Sequence, residues 1–308
     1  MKTSFIIVNF NSNEYTLQCI KQIVNSKLDL NDYEIIVVDN GCISNELSCA
    51  LSVTPFVKLV TLERSVGFAE ANNIAFKLAS GEYLFMINND IEMNSNAIQS
   101  IIHFFDTTPQ AGVVAPKILN TDLTLQHLNY TYDYSFFTEF LKLVGFYRIC
   151  NYFKLSKLPL YGVYPSREVQ EVKHVCGCFL AIRRDCLMSV NYLYNSFVFG
   201  FEDADLCKRL SKELPFYKIY SLNFCYIVHF GGGSRKFFNH TIHRMMTDSL
   251  KHYFLKHYGL IPFLIISTMR WLNSLFHLLS NYILHYIFQR KISDYNTKYH
   301  VSIILFKS

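Results

Sequence analysis

The chain has 308 residues, of which 51% are hydrophobic, and a formal net charge of +5 at pH 7. This length suits one large α/β core with an appendage, and the scattered Lys and Arg provide no basic patch for nucleic acid. The nine cysteines form no Cys-x-x-Cys pair, so we expect reduced, buried thiols in the cytosol. The chain opens on a strand pattern with no signal peptide before it, which argues against export.

Apolar runs and helical patterns alternate over the first 115 residues. Strands are predicted at 4–9, 33–38, 56–62, from 82 onward and at 112–115, and helices at 15–24, 69–78 and up to 105. Asn11-Ser12-Asn13 and Asn94-Ser95 are the predicted helix caps, and Gly81 separates a helix from the next strand. This alternation predicts a parallel, doubly wound sheet. The aromatic-rich segment 120–167 fits neither helix nor strand.

Polar residues stand where several predicted strands end. Asp39-Asn40 and Asn88-Asn89-Asp90 each follow an apolar run, and His229 closes a later strand before a Gly-rich turn. Ligands of open α/β sheets bind at the carboxyl ends of the strands. We therefore expect a nucleotide site lined by these residues.

A third acidic cluster lies at the start of a predicted helix over 202–212. On that helix Asp203 shares the apolar face with Leu206, whereas Glu202 and Asp205 share the opposite, charged face. Asp203 is therefore either an N-terminal cap or a carboxylate aimed into a cleft. We expect Asp205 at the surface, paired with Lys208 or Arg209 of the same helix.

Together these segments resemble the family 2 glycosyltransferases of GT-A fold, in particular the bacterial rhamnosyltransferase-like branch that builds surface polysaccharides. The motifs that carry the resemblance are Ile7-Val8-Asn9-Phe10-Asn11, Val37-Val38-Asp39-Asn40-Gly41, Val66-Gly67-Phe68-Ala69-Glu70-Ala71-Asn72-Asn73, Asn88-Asn89-Asp90, Cys176-Gly177-Cys178-Phe179-Leu180-Ala181-Ile182-Arg183-Arg184, Glu202-Asp203 and the His229 motif. The resemblance covers about residues 4–234.

The resemblance implies an α/β, GT-A (Rossmann-like) fold with a mostly parallel sheet flanked by helices and a C-terminal helical extension. It implies a nucleotide-sugar-binding half at 1–118, an acceptor half at 119–235 and a helical segment at 236–308. The implied reaction is the inverting transfer of a sugar, with rhamnose a candidate, from a dTDP- or UDP-sugar. The acceptor would be a hydroxyl of a lipid-linked or polysaccharide glycan in O-antigen or capsule synthesis.

The resemblance also assigns the site residues. Asp203 would be the catalytic base and Glu202 would contact the acceptor. Asp90 and His229 would bind a divalent metal, Mn²⁺ or Mg²⁺, although the family's Asp-x-Asp motif is reduced here to Asn88-Asn89-Asp90. The donor nucleotide would be bound by Asn9, Asp39, Asn40, Gly67, Phe68, Asn72, Asn73 and Asn88.

Structural alternatives exist for several of these residues. His229 alone fits a hydrogen-bonded core histidine, and Asp39 an Asx cap of the following turn. For Asn72 and for Asn73, taken singly, helix capping is as good an explanation as contact with the donor nucleotide. Gly67 would supply either a close backbone approach or a positive φ.

The C-terminal segment 262–289 reads as an apolar helix with a narrow polar stripe that includes Arg270, Ser274 and His277. Its apolar run is too short to span a bilayer. The wide apolar face suits a helix lying in the membrane interface, at the cytoplasmic leaflet, where a lipid-linked acceptor would be found. The alternatives are packing on the catalytic domain or on a second copy in a homo-oligomer.

Two other functions are compatible with parts of the pattern. Asn88 in place of an Asp favours a non-catalytic, sugar-nucleotide-binding partner of a transferase complex. A sugar-1-phosphate nucleotidyltransferase would also use a nucleotide-binding sheet, but its usual Gly-rich phosphate loop does not follow Asn9.

Overall fold

The computed structural model describes residues 1–26, 28–41, 47, 51, 56–126, 130–131, 134–143, 167–197, 199–231 and 239–288. The chain forms two compact units. The first comprises Met1–Asp133, Tyr161–Val198 and Glu202–Lys236, and the second comprises Tyr134–Leu160, Phe199–Phe201 and Phe237–Ser308.

The described strands and helices alternate along most of the first unit. The strands are β1 (Thr3–Asn9), β2 (Tyr33–Asp39), β3 (Val57–Thr61), β4 (Tyr83–Asn88), β5 (Ile91–Met93), β6 (Ala111–Leu119), β7 (Tyr130–Thr131), β8 (Val169–Val172), β9 (His174–Val175), β10 (Phe179–Arg183) and β11 (Lys218–His229). The helices are α1 (Asn13–Val24), α2 (Phe68–Leu78), α3 (Ala97–Thr107), α4 (Phe136–Leu143), α5 (Arg184–Ser189), α6 (Glu202–Glu213), α7 (Asn239–Tyr258) and α8 (Leu260–Phe288).

A nine-stranded sheet runs through the first unit in the order β3-β2-β1-β4-β10-β6-β11-β5, with β8 also paired to β11. Strands β3, β2, β1 and β4 are parallel, as predicted. The second half of the sheet is mixed, because β10 runs antiparallel to both β4 and β6. Strand β11 is parallel to β6 but antiparallel to β5 and β8.

Both faces of the sheet are buried, which explains why its strands are continuous apolar runs. On one face, side chains such as Phe5 and Ile7 pack with residues of α1 and α3. On the other, Ile6 and its neighbours pack with residues of α2, α5 and α6. The helices therefore cover the sheet from both sides, as the doubly wound pattern predicts.

The local predictions need three corrections. Asn96, rather than Asn94 or Ser95, is the cap residue of α3, and Asn94 instead accepts the Asn96 N–H through its side chain. Ser12 does precede α1, but its hydroxyl donates to the Phe10 carbonyl and makes no cap bond. The segment 120–167 is not wholly irregular, because it contains β7 and α4.

Gly41 makes the tight turn that follows β2. Its φ is +84°, and a Cβ built on it would lie 2.5 Å from the Ser65 backbone nitrogen. Only glycine therefore fits this turn, which lies against the segment leading into α2.

We predict that Gly41→Ala destabilises the protein by more than the roughly 1–2 kcal/mol expected for a left-handed conformation alone, because the backbone of Ser65 must also move. Gly231→Ala is the matched control. Gly231 also has a positive φ, +61°, but the nearest atom to its Cβ position is 3.8 Å away. Urea unfolding of both variants measures the difference, and equal losses of stability would show that the close contact at Gly41 is easily relieved.

Candidate active site

The carboxyl ends of three parallel strands meet at one edge of the sheet. Asn9 at the end of β1 lies in register with Asp39 at the end of β2, and Val8 lies in register with Asn88 at the end of β4. Register therefore places Asn9, Asp39 and Asn88 side by side, at the edge where open α/β sheets bind ligands.

Asn9 is fully buried and holds its neighbours in place. Its amide nitrogen donates to Asp39 Oδ1 and to Asn13 Oδ1, each at 2.9 Å, and its oxygen accepts the Thr16 hydroxyl at 2.7 Å. These bonds fix the orientation of the Asp39 carboxylate and tie it to the first turn of α1.

The other amides predicted to bind the donor are engaged within the fold. Asn40 makes two hydrogen bonds to the Val66 backbone, at 2.8 and 3.0 Å, and so fixes the segment that leads into α2. Asn72 donates to the Phe68 carbonyl within α2, and Asn73 donates to the Leu193 carbonyl and accepts the Leu193 N–H.

The backbone conformation of Gly67 removes one of the two roles predicted for it. The φ of Gly67 is −62°, so a positive φ does not explain this glycine. Gly67 instead occupies the cap position of α2, directly before Phe68.

Asp90 and His229 lie together, as predicted, although they are far apart in the sequence. The antiparallel pairing of β5 with β11 sets His229 opposite Ile91, and His229 Nε2 lies 3.3 Å from Asp90 Oδ1. Both residues are almost completely buried. Asn88 Nδ2 lies 3.5 Å from the same imidazole nitrogen.

Gln126 determines which nitrogen of His229 carries the proton. Its amide nitrogen donates to Asn120 Oδ1 at 3.2 Å, so its Oε1 faces His229 Nδ1 at 3.0 Å and accepts from it. When Nδ1 carries the only ring proton, the lone pair of Nε2 points at the Asp90 carboxylate. Two acceptors that face each other at 3.3 Å repel unless a cation or a proton lies between them.

This arrangement fits a divalent cation that shares its coordination shell with a substrate. A carboxylate oxygen and an imidazole nitrogen are suitable ligands for Mn²⁺, and an imidazole held through its other nitrogen is typical of metal sites. Among the described residues no group of three or more His, Cys, Asp or Glu side chains is placed to hold a metal. Oxygens of a bound substrate would be suitable further ligands for such a cation.

Asp203 lies at the start of α6, where it accepts two backbone N–H groups and has the imidazole of His174 beside it. Its Oδ2 accepts the Gly177 N–H at 2.7 Å and lies 3.4 Å from His174 Nε2, and its Oδ1 accepts the Ala204 N–H at 2.7 Å. Burial by itself would raise the pKa of Asp203. The charge and hydrogen bond of His174, with the two backbone N–H groups, outweigh burial and lower the pKa below its ordinary value.

The turn between β9 and β10 links Asp203 to the strand end that carries Asp90. Gly177 donates to Asp203, and the carbonyl of the next residue, Cys178, accepts the Asn88 N–H at 2.8 Å. A Cβ on Gly177 would contact both Met86 and Asp203 at 3.0–3.3 Å. This turn therefore brings the carboxylate of α6 close to the end of β4.

Asp205 is completely buried, and the prediction that it lies at the surface is wrong. Its predicted partner is correct: Arg209 Nε donates to Asp205 Oδ2 at 2.8 Å. Arg209 also donates to the Val190 and Tyr192 carbonyls, so the pair is hydrogen-bonded on several sides. This bonding offsets the cost of burying two charges. Glu202, predicted to contact the acceptor, is buried too.

The fold and the polar cluster define an open α/β domain with its candidate site at the carboxyl ends of the strands, and similarity to known proteins gives its family. The model of glycosyl transferase family 2 matches residues 4–189. That match is more than half of the chain, and the chain belongs to this family. The rhamnosyltransferase-like branch stays a prediction.

The curated relatives are similar to this chain over only part of their own length. The poly(ribitol-phosphate) beta-glucosyltransferase of Bacillus spizizenii (strain W23) is 31% identical over 102 residues, which are 32% of this chain and 16% of that protein. The chain spans between 16% and 33% of the lengths of the curated relatives it matches.

Solved structures establish the GT-A fold. The mannosyltransferase PcManGT of Pyrobaculum calidifontis, in complex with GDP-Man and Mn²⁺, has a TM-score of 0.58 at 14% identity, over 99% of this chain and 81% of that chain. S. aureus TarS 1-349 in complex with UDP-GlcNAc has a TM-score of 0.54 at 15% identity, over 98% of this chain and 79% of that chain.

Three residues of the site were not found from the sequence. Gln126 comes from the segment predicted as irregular, and His174 lies in a two-residue strand with no periodicity to reveal it. Gly177 lies in a motif of the family resemblance, but the sequence assigns it no function of its own. The one signal available was the position of His174 just before that motif.

We predict that Asp205→Ala lowers the free energy of unfolding by about 3–5 kcal/mol, because it leaves the Arg209 guanidinium partly buried without its carboxylate. Glu82→Ala is the control, since Glu82 is 60% exposed and its pairing with Arg183 is a surface contact. Chemical unfolding should show a change below about 1 kcal/mol for the control. Similar losses in both variants would contradict the structural role of the buried pair.

Proposed function

We propose that this chain is an inverting, metal-assisted glycosyltransferase that moves a sugar from a nucleotide diphosphate donor to an acceptor hydroxyl. The observation that carries the proposal is the proximity of Asp90 Oδ1 and His229 Nε2, which lie 3.3 Å apart at the ligand-binding edge of the sheet. A cation between them would complete its shell with donor diphosphate oxygens.

The residues of the sheet edge would bind the donor. Asp39, oriented by Asn9, would accept a hydrogen bond from the N3–H of the pyrimidine base of a UDP- or dTDP-sugar. Asn88 would bond a ribose hydroxyl. Asn40, Gly67, Phe68, Asn72 and Asn73 would act by shaping this side of the site, since the three amides are engaged in internal hydrogen bonds.

Asp203 would take the proton of the acceptor hydroxyl. The acceptor oxygen forms a new bond to the anomeric carbon as the bond from that carbon to the diphosphate breaks, and the electron pair leaves with the nucleoside diphosphate. When bound, the divalent ion would neutralise the negative charge that develops on this leaving group. Glu202, next to the base, would line the acceptor side.

The names of two similar proteins suggest a class of acceptor for this chain. Both are named for poly(ribitol-phosphate), which supports a hydroxyl-rich surface polymer, or its lipid-linked precursor, as the acceptor of this chain. Rhamnose and O-antigen or capsule synthesis remain proposals from the motif resemblance. Glucose and N-acetylglucosamine are further candidate sugars because of those names.

We also propose that α8 binds the membrane surface. Six large apolar residues between 42% and 71% exposed fall on one stripe of this helix: Ile261, Ile265, Leu272, Phe276, Leu279 and Ile283. The opposite side is polar and more covered, with Ser274 buried and Asn273 donating to the Leu143 carbonyl of α4. No described helix is long and apolar enough to cross a membrane.

This distribution is the reverse of that on an ordinary surface helix, whose apolar side faces the protein. The exposed stripe supports a helix that lies in the lipid interface, at the cytoplasmic leaflet, with Arg290 and Lys291 nearby in the sequence to meet anionic headgroups. A second copy of the chain is the alternative occupant of the stripe, and the experiment below separates the two.

We predict that Asp90→Ala abolishes Mn²⁺-dependent donor binding and turnover, because it removes one of the two protein ligands and leaves the diphosphate charge uncompensated. A panel of UDP-, dTDP- and GDP-sugars, with and without Mn²⁺, measures both by calorimetry and product release. Asp122→Ala, a surface carboxylate, is the control. Donor affinity in Asp90→Ala that equals wild type in the presence of Mn²⁺ would contradict the metal assignment.

The same panel tests the proposed function itself. Wild-type protein that binds a donor tightly but releases no nucleoside diphosphate with any acceptor would favour the non-catalytic partner instead.

We predict that the triple substitution Ile265→Ser, Leu272→Ser and Phe276→Ser releases the protein from anionic vesicles and leaves donor binding unchanged. These three side chains are exposed, so their loss removes membrane contact area without opening a core. Vesicle flotation is the measurement, with neutral vesicles as a comparison. If wild-type protein does not float but sediments as a dimer that the triple variant disrupts, the stripe is a subunit interface.

A further inference from the structure

We infer that His174 is a positioning residue for the Asp203 carboxylate, which it orients so that Oδ1 takes the acceptor proton. The inference rests on the proposed function. It adds to that proposal a residue outside the motifs that carry the family resemblance.

The contacts of Asp203 distinguish its two oxygens. A carboxylate oxygen accepts about two hydrogen bonds. Oδ2 is approached from two directions, by the Gly177 N–H at 2.7 Å and by His174 Nε2 at 3.4 Å. Within the described part of the chain, Oδ1 accepts one N–H, that of Ala204. Of the two oxygens, Oδ1 therefore keeps an acceptor position for a proton from substrate.

Strand pairing fixes the main chain of His174. It is buried, and it belongs to β9, whose backbone pairs with β7 at Thr131. Gly177, the other group on Oδ2, lies three residues further along the same turn. A rotation of the Asp203 carboxylate would break both contacts at once, so the two donors together fix its plane.

His174 is one of several titratable neighbours of Asp203. Two thiols, Cys178 in the turn and Cys207 on α6, also face Asp203. A side-chain hydrogen bond with Cys176, together with burial, raises the pKa of Cys178 well above its ordinary value. Burial raises the pKa of Cys207 to about 12, so both remain neutral thiols. Because the two thiols are neutral, His174 is the side chain whose loss should change the pKa of Asp203.

The test compares two amide substitutions that differ in reach. The amide nitrogen of His174→Gln can occupy about the position of Nε2, whereas that of His174→Asn reaches only about as far as Nδ1. We expect kcat to fall about tenfold or more in His174→Asn, with donor Kd unchanged, and to stay within about threefold of wild type in His174→Gln. His103→Gln, at an exposed position on α3, is the matched control.

The pH dependence of kcat supplies a readout that a purely structural role would not move. His174 lowers the pKa of Asp203, so its loss should raise that pKa and move the acid limb of the profile to higher pH in His174→Asn. The shift should be smaller in His174→Gln. An unchanged acid limb, or equal losses of kcat in both variants, would overturn the inference.

Two controls separate this inference from the proposed function. If wild-type protein transfers no sugar from any donor, the proposed function fails and the inference with it. If wild-type protein is active and Asp203→Asn is active too, the assignment of the base is wrong. If Asp203→Asn is inactive and His174→Asn matches wild type, only the role of His174 is wrong. Should His174→Asn not fold, a loss above tenfold in folded His174→Gln overturns the inference.

Discussion

The register of the parallel strands is the constraint on which the site depends. Asn9 pairs with Asp39, and Val8 pairs with Asn88, so the polar ends of three strands reach the same edge of the sheet. A slip of one residue would move every buried side chain of a strand into the opposite core, where it no longer matches its neighbours in size, and would break the Asn9–Asp39 hydrogen bond. Strand register also positions His229, because the pairing of β11 with β5 sets it beside Asp90. Packing of the core therefore fixes the geometry of the polar site.

The sequence predicted those parts of the site that periodicity or a motif reveals. The strand ends at Asp39 and Asp90 followed from apolar runs, and the inward direction of Asp203 followed from helical spacing. Gln126 could not be predicted, because its function depends on a hydrogen bond to a residue 103 positions away. Asp205 was misplaced for a different reason. Helical spacing assigns it to the charged face, but Arg209 and two backbone carbonyls allow that charged pair to be buried.

Helix α8 departs from the usual arrangement of an amphipathic helix. A narrow polar stripe on an apolar helix normally marks the side that faces water. Here Ser274 on that stripe is buried, whereas Ile261 and Phe276 on the apolar side are 71% and 67% exposed. Helix α8 belongs to the second compact unit, and the site at the sheet edge belongs to the first. Membrane contact and donor binding would thus involve different surfaces of the chain, which can be altered separately.

The order of strands in the sheet has a consequence for synthesis on the ribosome. Strand β10 separates β4 from β6, and β11 separates β6 from β5, so the middle of the sheet is completed by the last strands to emerge. Until β10 leaves the exit tunnel, β6 has neither of its neighbours, and until β11 follows, Asp90 lacks His229. Non-local pairing of this kind slows folding. An incomplete chain therefore carries unpaired apolar strands for much of its synthesis, the condition in which strand edges can pair with other chains.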